Sequence, residues 1–208
     1  VVSYYRGEWG AMNPKIAAFL RAHEPATPCL VLDLETVERN YRRLLAAMPL
    51  ARIYYAVKAN PAAPVLERLT ALGSSFDAAS YEEVEACLAA GADPLRISYG
   101  NTVKKERAIK AAFDNGVTMF AFDSEPELRK IARAAPGARV YCRIFVGNDG
   151  AEWPLSRKFG CEVAMAKRLM VLAEDLGLDA YGLSFHVGSQ QTTTAAYQAA
   201  IAKVAMLF

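Results

Sequence analysis

The 208 residues are 53% hydrophobic and 22% charged with a formal net charge of +2, a balance that fits an ordinary globular chain able to bury a sizeable core. With no block of like charges, nucleic acid and anionic membranes are not expected as main partners, because counterion release needs clustered Lys and Arg. No apolar run approaches the ~20 residues that span a bilayer, and Cys29, Cys87, Cys142 and Cys161 form no Cys-x-x-Cys pair and follow no signal-like leader, so a cytoplasmic location is expected.

The chain opens at Val1 rather than methionine, which hints at processing or a fragment. Residues 1–12 show no clear period, and Tyr4, Tyr5 and Trp9 are free to pack as an arm against the body or a neighbour. Asn13 before Pro14 predicts a helix start, with Ile16, Phe19 and Leu20 as its apolar face. Thr27 to Asp33 reads as a strand, and Val37, Tyr41, Leu44, Leu45 and Met48 then fall on one helical face. Ile53 to Asn60 is an apolar, β-branched and aromatic run that reads as a central strand delivering Lys58 at its carboxyl end. A helix with Val65, Leu66, Leu69 and Leu72 inward follows and closes at Gly73.

The same unit then recurs. Ser75 to Ala79 reads as a strand, and Ser80 with Glu83 forms a capping box for a helix carrying Val84, Cys87 and Leu88. Leu95 to Tyr99 is the next strand, followed by a helix with Ala108, Ile109, Ala112 and Phe113 on one face, and Val117 to Phe122 returns as a strand. Ser124 and Glu127 repeat the capping-box spacing before Leu128, Ile131 and Ala135, and Arg139 to Val146 is a fifth strand. Gly147 to Gly160 is long for a connection in such a unit, and loops of that length are usually functional or disordered. A helix over Val163 to Leu176 and a strand over Ala180 to Val187 complete the series, and a last helix begins near Ala195 with a stripe of Tyr197, Ala200, Ile201, Val204 and Leu207. The end at Phe208, with no cap, glycine or polar tail, looks cut.

Strands alternating with helices point to a parallel α/β fold. The absence of Gly-x-Gly-x-x-Gly weakens a doubly wound dinucleotide-binding sheet, so a TIM-type barrel with its last two units missing is favoured. In such a barrel all strand carboxyl ends open on one face, so residues far apart in sequence converge there. Reading those ends gives Lys58, Asp77, Asn101, Asp123, Arg143, His186 and Ser189. Taken singly, Asp123 reads as a helix cap, Asn101 as a turn residue and Lys58 as a snorkelling lysine. A desolvated lysine is also a usable amine nucleophile, and Gly188-Ser189 suits a turn facing an anion. No ligand spacing for zinc and no Gly-x-Ser-x-Gly is present, so neither a metal site nor a serine hydrolase is expected.

Four ordered motifs carry a resemblance. Tyr55-Ala56-Val57-Lys58-Ala59-Asn60, Phe76-Asp77-Ala78-Ala79-Ser80, Leu155-Ser156-Arg157-Lys158-Phe159-Gly160 and Ser184-Phe185-His186-Val187-Gly188-Ser189 resemble the ornithine decarboxylase branch of the alanine-racemase-like pyridoxal phosphate enzymes. The resemblance implies a pyridoxal-phosphate-binding (β/α)8 barrel, with residues 51–208 as an incomplete barrel domain and residues 1–50 associated with a C-terminal β-domain that is mostly absent. It implies that Lys58 is the lysine bonded to the cofactor aldehyde, that His186 stacks on the cofactor ring, and that Ser189 contacts the phosphate. Asp77 and Glu83 then look like carboxylates beside the attachment point, Arg143 like a supporting cation, and Lys158 like a lysine near a dimer interface.

The implied activity is decarboxylation of a basic amino acid, foremost L-ornithine to putrescine and carbon dioxide in polyamine synthesis, by a homodimer with shared active sites. Lysine, diaminopimelate or arginine decarboxylases and a non-catalytic pyridoxal-phosphate-binding or regulatory homologue are the alternatives. The family's glycine-rich phosphate loop, pyridine-nitrogen glutamate and proton-donor cysteine find no match in this stretch, so residues 1–208 by themselves are expected to be catalytically silent.

Overall fold

The computed structural model describes residues 13–146 and 158–206. The expected arm of residues 1–12, most of the 147–160 loop and the positions Leu207 and Phe208 lie outside the described residues. Helix α1 (Pro14–His23) starts as its sequence dictates, with the Asn13 side chain accepting from the Lys15 N–H at 2.9 Å. Helix α2 (Leu34–Ala47) begins at Asp33, whose carboxylate accepts from the Glu35 N–H at 3.1 Å and the Thr36 hydroxyl at 2.8 Å. Between them, residues 27–33 do not form the expected strand. A strand needs a partner edge, and none of the described strands pairs with this stretch, which leaves Leu30 80% and Leu32 42% exposed.

The remaining elements are β1 (Tyr54–Ala56), α3 (Ala63–Ala71), β2 (Ser75–Ala78), α4 (Tyr81–Ala89), β3 (Ile97–Tyr99), α5 (Glu106–Asp114), β4 (Met119–Phe122), α6 (Glu125–Ala134), β5 (Arg139–Arg143), α7 (Val163–Asp175), β6 (Asp179–Ser184) and α8 (Thr194–Ala205). The strands form one six-stranded sheet in the order β1-β2-β3-β4-β5-β6, and every pair is parallel. A doubly wound sheet reverses its strand order at a switch point, whereas each unit here adds the next neighbour on the same side, which is barrel order.

Side chains alternate between two environments. Phe76, Ala78, Ile97, Tyr99, Phe120, Phe122, Val140 and Cys142 belong to the core shared with Val65, Leu66, Leu69, Val84, Ile109, Leu128, Ile131 and Leu169 of the helices. The alternate row, Asp77, Ser98, Met119, Tyr141 and Arg143, faces the other way and lines the lumen side of the curved sheet. Across that lumen the Ser98 and Tyr141 hydroxyls meet at 2.7 Å. Apart from Met119, polar groups therefore make up this inner row, and the apolar core lies between strands and helices.

Two short-range expectations change. Ser80 does cap α4, accepting from the Glu83 N–H at 3.3 Å, while Glu83 accepts from the Ala79 N–H at 2.6 Å. The repeat at Ser124 does not form: its side chain makes no cap bond, and Glu127 is 3% exposed, turned inward to Lys104 Nζ at 3.0 Å and Lys130 Nζ at 2.6 Å. A buried ammonium attracts that carboxylate more strongly than a solvent-facing amide does.

Candidate active site

Lys58 is not the last residue of a strand. β1 ends at Ala56, and Lys58 sits on a 3-10 turn over Val57–Ala59, closed by the Asn60 N–H donating to the Val57 carbonyl at 3.1 Å. The Tyr55 hydroxyl donates to the Asn60 carbonyl at 3.2 Å, and Asn60 Oδ1 accepts from the Ala62 N–H at 3.0 Å. Pro61 cannot continue the turn. Val57 is thereby buried and anchors the turn, while the Lys58 side chain is exposed at the strand-end face.

Asp77 lies inside β2 rather than at its end, with Gly100 against it: a Cβ on Gly100 would lie 1.9 Å from Asp77 Oδ1, so the glycine makes room for the carboxylate in its present rotamer. Desolvation pushes the Asp77 carboxyl up to about 6, with Glu83 adding to the rise and the positive charges of Lys58 and Arg143 opposing it. Arg143 ends β5, and its guanidinium carbon lies 5.3 Å from the centroid of the Phe159 ring. Its proton affinity is lowered by burial, against the charges of Asp123 and Asp77.

β6 stops at Ser184, two residues short of His186. The His186 ring is pinned through Nδ1, which accepts from the Gly188 N–H at 2.9 Å, so the neutral ring carries its proton on Nε2. Burial, then Arg143 and Lys58, lowers its pKa, which keeps the imidazole neutral at physiological pH. Gly188 takes φ +100, the left-handed region that favours glycine, and places Ser189 beside His186 on a groove of about 430 Å³ shared with Phe185, Gln191 and Tyr197. A larger concavity of about 530 Å³, lined by Glu35, Glu38, Arg39, Arg42, Arg43 and Ala46, is the charged flank of α2 and lies away from the strand ends.

Lys58 and Arg143 thus act electrostatically on both Asp77 and His186 at one end of the lumen. The other rim residues serve the backbone. Asp123 accepts from the Gly160 N–H at 2.9 Å, and Asn101 makes a turn, donating to the Ala79 carbonyl at 3.2 Å and accepting from the Val103 N–H at 3.3 Å. Lys158 is exposed and lies over Phe159. Sequence reasoning passed over Tyr141 and Ser98, whose only sequence signal is a polar residue at an inward parity position in an otherwise apolar strand.

Residues 34–208 match the family described as pyridoxal-dependent decarboxylase, pyridoxal binding domain. The chain belongs to that family. It is 45% identical over 182 residues to a lysine/ornithine decarboxylase of Selenomonas ruminantium, covering 88% of this chain and 46% of that protein. It is 41% identical over 178 residues to antizyme inhibitor 2 of Xenopus laevis, covering 86% of this chain and 39% of that protein. Among solved structures, the arginine decarboxylase of Paramecium bursaria Chlorella virus bound to agmatine superposes with a TM-score of 0.89 at 30% identity, over 95% of this chain and 54% of that one. The chain spans about half the length of the proteins it matches, or less. Among the described residues no helix is long and apolar enough to cross a membrane.

The lumen mouth suits the cofactor the family is named for. An aldehyde needs an accessible amine, which Lys58 would supply, and a flat aromatic ring needs a flat uncharged partner, which the pinned His186 would offer beside an open groove.

Proposed function

We propose that the whole protein is a pyridoxal-phosphate-dependent decarboxylase of a basic amino acid, foremost L-ornithine, giving putrescine and carbon dioxide. The observation that carries the reading is the meeting of an exposed lysine, a neutral pinned imidazole and the Asp77–Arg143 charges at one lumen end of a pyridoxal-binding domain. Lysine and arginine remain rival substrates, in keeping with the names of the relatives. The family resemblance extends the proposal to a homodimer with shared active sites.

When bound, pyridoxal phosphate supplies the aldehyde for covalent attachment and the electron sink for cleavage of the carboxylate bond. Lys58 Nζ would be the amine that holds the cofactor. Ionised Asp77 would favour positive charge beside the held cofactor, and Arg143 balances the carboxylate so that a charged pair persists in a desolvated setting. His186 would offer the cofactor ring a flat face without adding formal charge, because Gly188 holds its Nδ1 and the lowered pKa keeps the second proton off. The Ser189 hydroxyl would donate to the phosphate.

The 41% identity to an antizyme inhibitor supports a second reading, a non-catalytic homologue that keeps the fold. One experiment separates them. In the full-length protein, borohydride reduction should fix a pyridoxyl group on Lys58, with carbon dioxide released from ornithine faster than from lysine or arginine. Lys58→Ala should abolish both label and turnover, and His186→Ala should weaken cofactor retention and slow turnover while chelators leave the wild type unchanged. A label on another lysine, or full activity in Lys58→Ala, overturns the assignment. A labelled Lys58 with no release from any of the three substrates establishes the non-catalytic reading.

A further inference from the structure

Cys142 and Cys161 take no part in the chemistry above, yet the fold brings their sulfurs together. Cys142 precedes Arg143 on β5 and faces the helices. Cys161 lies opposite Ile144 in a short parallel bridge, its N–H donating to the Arg143 carbonyl at 3.0 Å and its carbonyl accepting from the Phe145 N–H at 2.9 Å. Residues 142, 144 and 161 therefore present their side chains to one face, and the two Sγ atoms stand 3.5 Å apart. The bridge holds the Cys161 backbone and the ladders to β4 and β6 hold that of Cys142, so the fold brings the pair together.

The two thiols are not equivalent. Cys142 is fully enclosed, whereas Cys161 keeps 7% of its surface open. Once Cys161 is ionised the Cys142 S–H can only donate to its sulfur, which lowers the Cys161 pKa and raises that of Cys142, so the more accessible sulfur is the better nucleophile. The remaining cysteines are placed otherwise: Cys29 is exposed and Cys87 is enclosed on the buried face of α4.

We propose that Cys142 and Cys161 are a reversible thiol–disulfide site, oxidised by small hydroperoxides. The Cys161 thiolate attacks one peroxide oxygen, the O–O bond breaks, the second oxygen leaves as water after protonation, and Cys161 becomes a sulfenic acid. The Cys142 sulfur then attacks the Cys161 sulfur, the S–O bond breaks, and a second water leaves with the Cys142 proton. Two thiols and one hydrogen peroxide give one disulfide and two waters, and an added dithiol reverses the change. The sulfurs close from 3.5 Å to a bond of about 2.05 Å. The bond staples β5 to the segment carrying Phe159 and Gly160, which touch Arg143 and Asp123 respectively. A disulfide of this kind in a reducing compartment is transient and redox-sensing.

The test treats full-length protein with hydrogen peroxide, alkylates free thiols and maps tryptic peptides without reduction. The expected product links peptide 140–143 to peptide 159–167, 2 Da lighter than the separate pair, and disappears with dithiothreitol. In Cys142→Ser, which lacks the second sulfur, dimedone should trap a sulfenic acid on Cys161. Failure to find the linked peptides in folded, peroxide-treated wild type overturns the proposal, as does oxidation confined to Cys29. Trapping on Cys142 in Cys161→Ser, with none on Cys161 in Cys142→Ser, overturns the order of attack. The readout is mass, so it stands or falls separately from decarboxylation.

Discussion

Glu127→Gln is the sharpest probe of how the rim is held together. Lys104 Nζ has no exposed side-chain surface and donates to the carbonyls of Asn101 at 2.7 Å and Ala121 at 2.6 Å, with Glu127 Oε1 at 3.0 Å as counter-charge. Burial outweighs that counter-charge and pulls the Lys104 pKa down to about 8 from its ordinary 10.5. Without the carboxylate the amine is driven neutral at pH 7, and holding it neutral costs ~1.4 kcal/mol per unit below its unfolded value, roughly 5 kcal/mol as a ceiling. Losing one partner of a buried pair typically costs about 3–5 kcal/mol, which for a chain of this size lowers the melting temperature by about 6–20 °C. Replacing both ends, Lys104→Met with Glu127→Leu, should restore part of the loss, because no fully enclosed charge is left stranded and Lys130, the other partner of Glu127, keeps 23% of its side chain in water. In the wild type the lowered folded pKa means that the unfolded chain binds more protons between pH 8 and 10.5, so this group's contribution rises across that window. Thermal melts followed by far-UV circular dichroism at pH 7 and 9.5 measure all of this. A Glu127→Gln melt within 2 °C of wild type, or a double variant no more stable than either single one, would refute the reasoning.

Asp77→Asn should trade stability against function. Because the Asp77 pKa is raised to about 6, its contribution is complete below pH 3.8 and is lost as pH rises through 6, so the variant should melt no lower than wild type at pH 7.5 while retaining less cofactor in equilibrium dialysis. A large drop in melting temperature with unchanged cofactor retention would contradict that. Gly160→Ala should cost about 1–3 kcal/mol, because Gly160 has φ +97 and an added Cβ would meet the Ile144 carbonyl carbon and Phe145 nitrogen at 2.9 Å. Urea unfolding is the measurement, and a loss under ~0.5 kcal/mol would show that this backbone yields.

The βα rhythm was legible because each unit is a local sentence: an apolar strand, a turn and an amphipathic helix closed by a glycine such as Gly73 or Gly116, both at positive φ. Lys58 and His186 were legible through their motifs, and barrel logic brought them to one rim. Other features have no local signature. The spacing of Ser124 to Glu127 is the same whether the glutamate caps its helix or turns inward, and what turned it was Lys104, 23 residues earlier and one βα unit away. Ser98 with Tyr141, and Cys142 with Cys161, likewise meet only once parallel strands fix their register. Residues 27–33 show the converse: their pattern is that of a strand, but a strand is completed by a partner's backbone, and no described strand supplies one. Local periodicity determined which segments are strands and helices over most of the chain, whereas the pairing of buried charges, hydroxyls and thiols waited on the tertiary structure, since those contacts join residues that sequence order keeps apart.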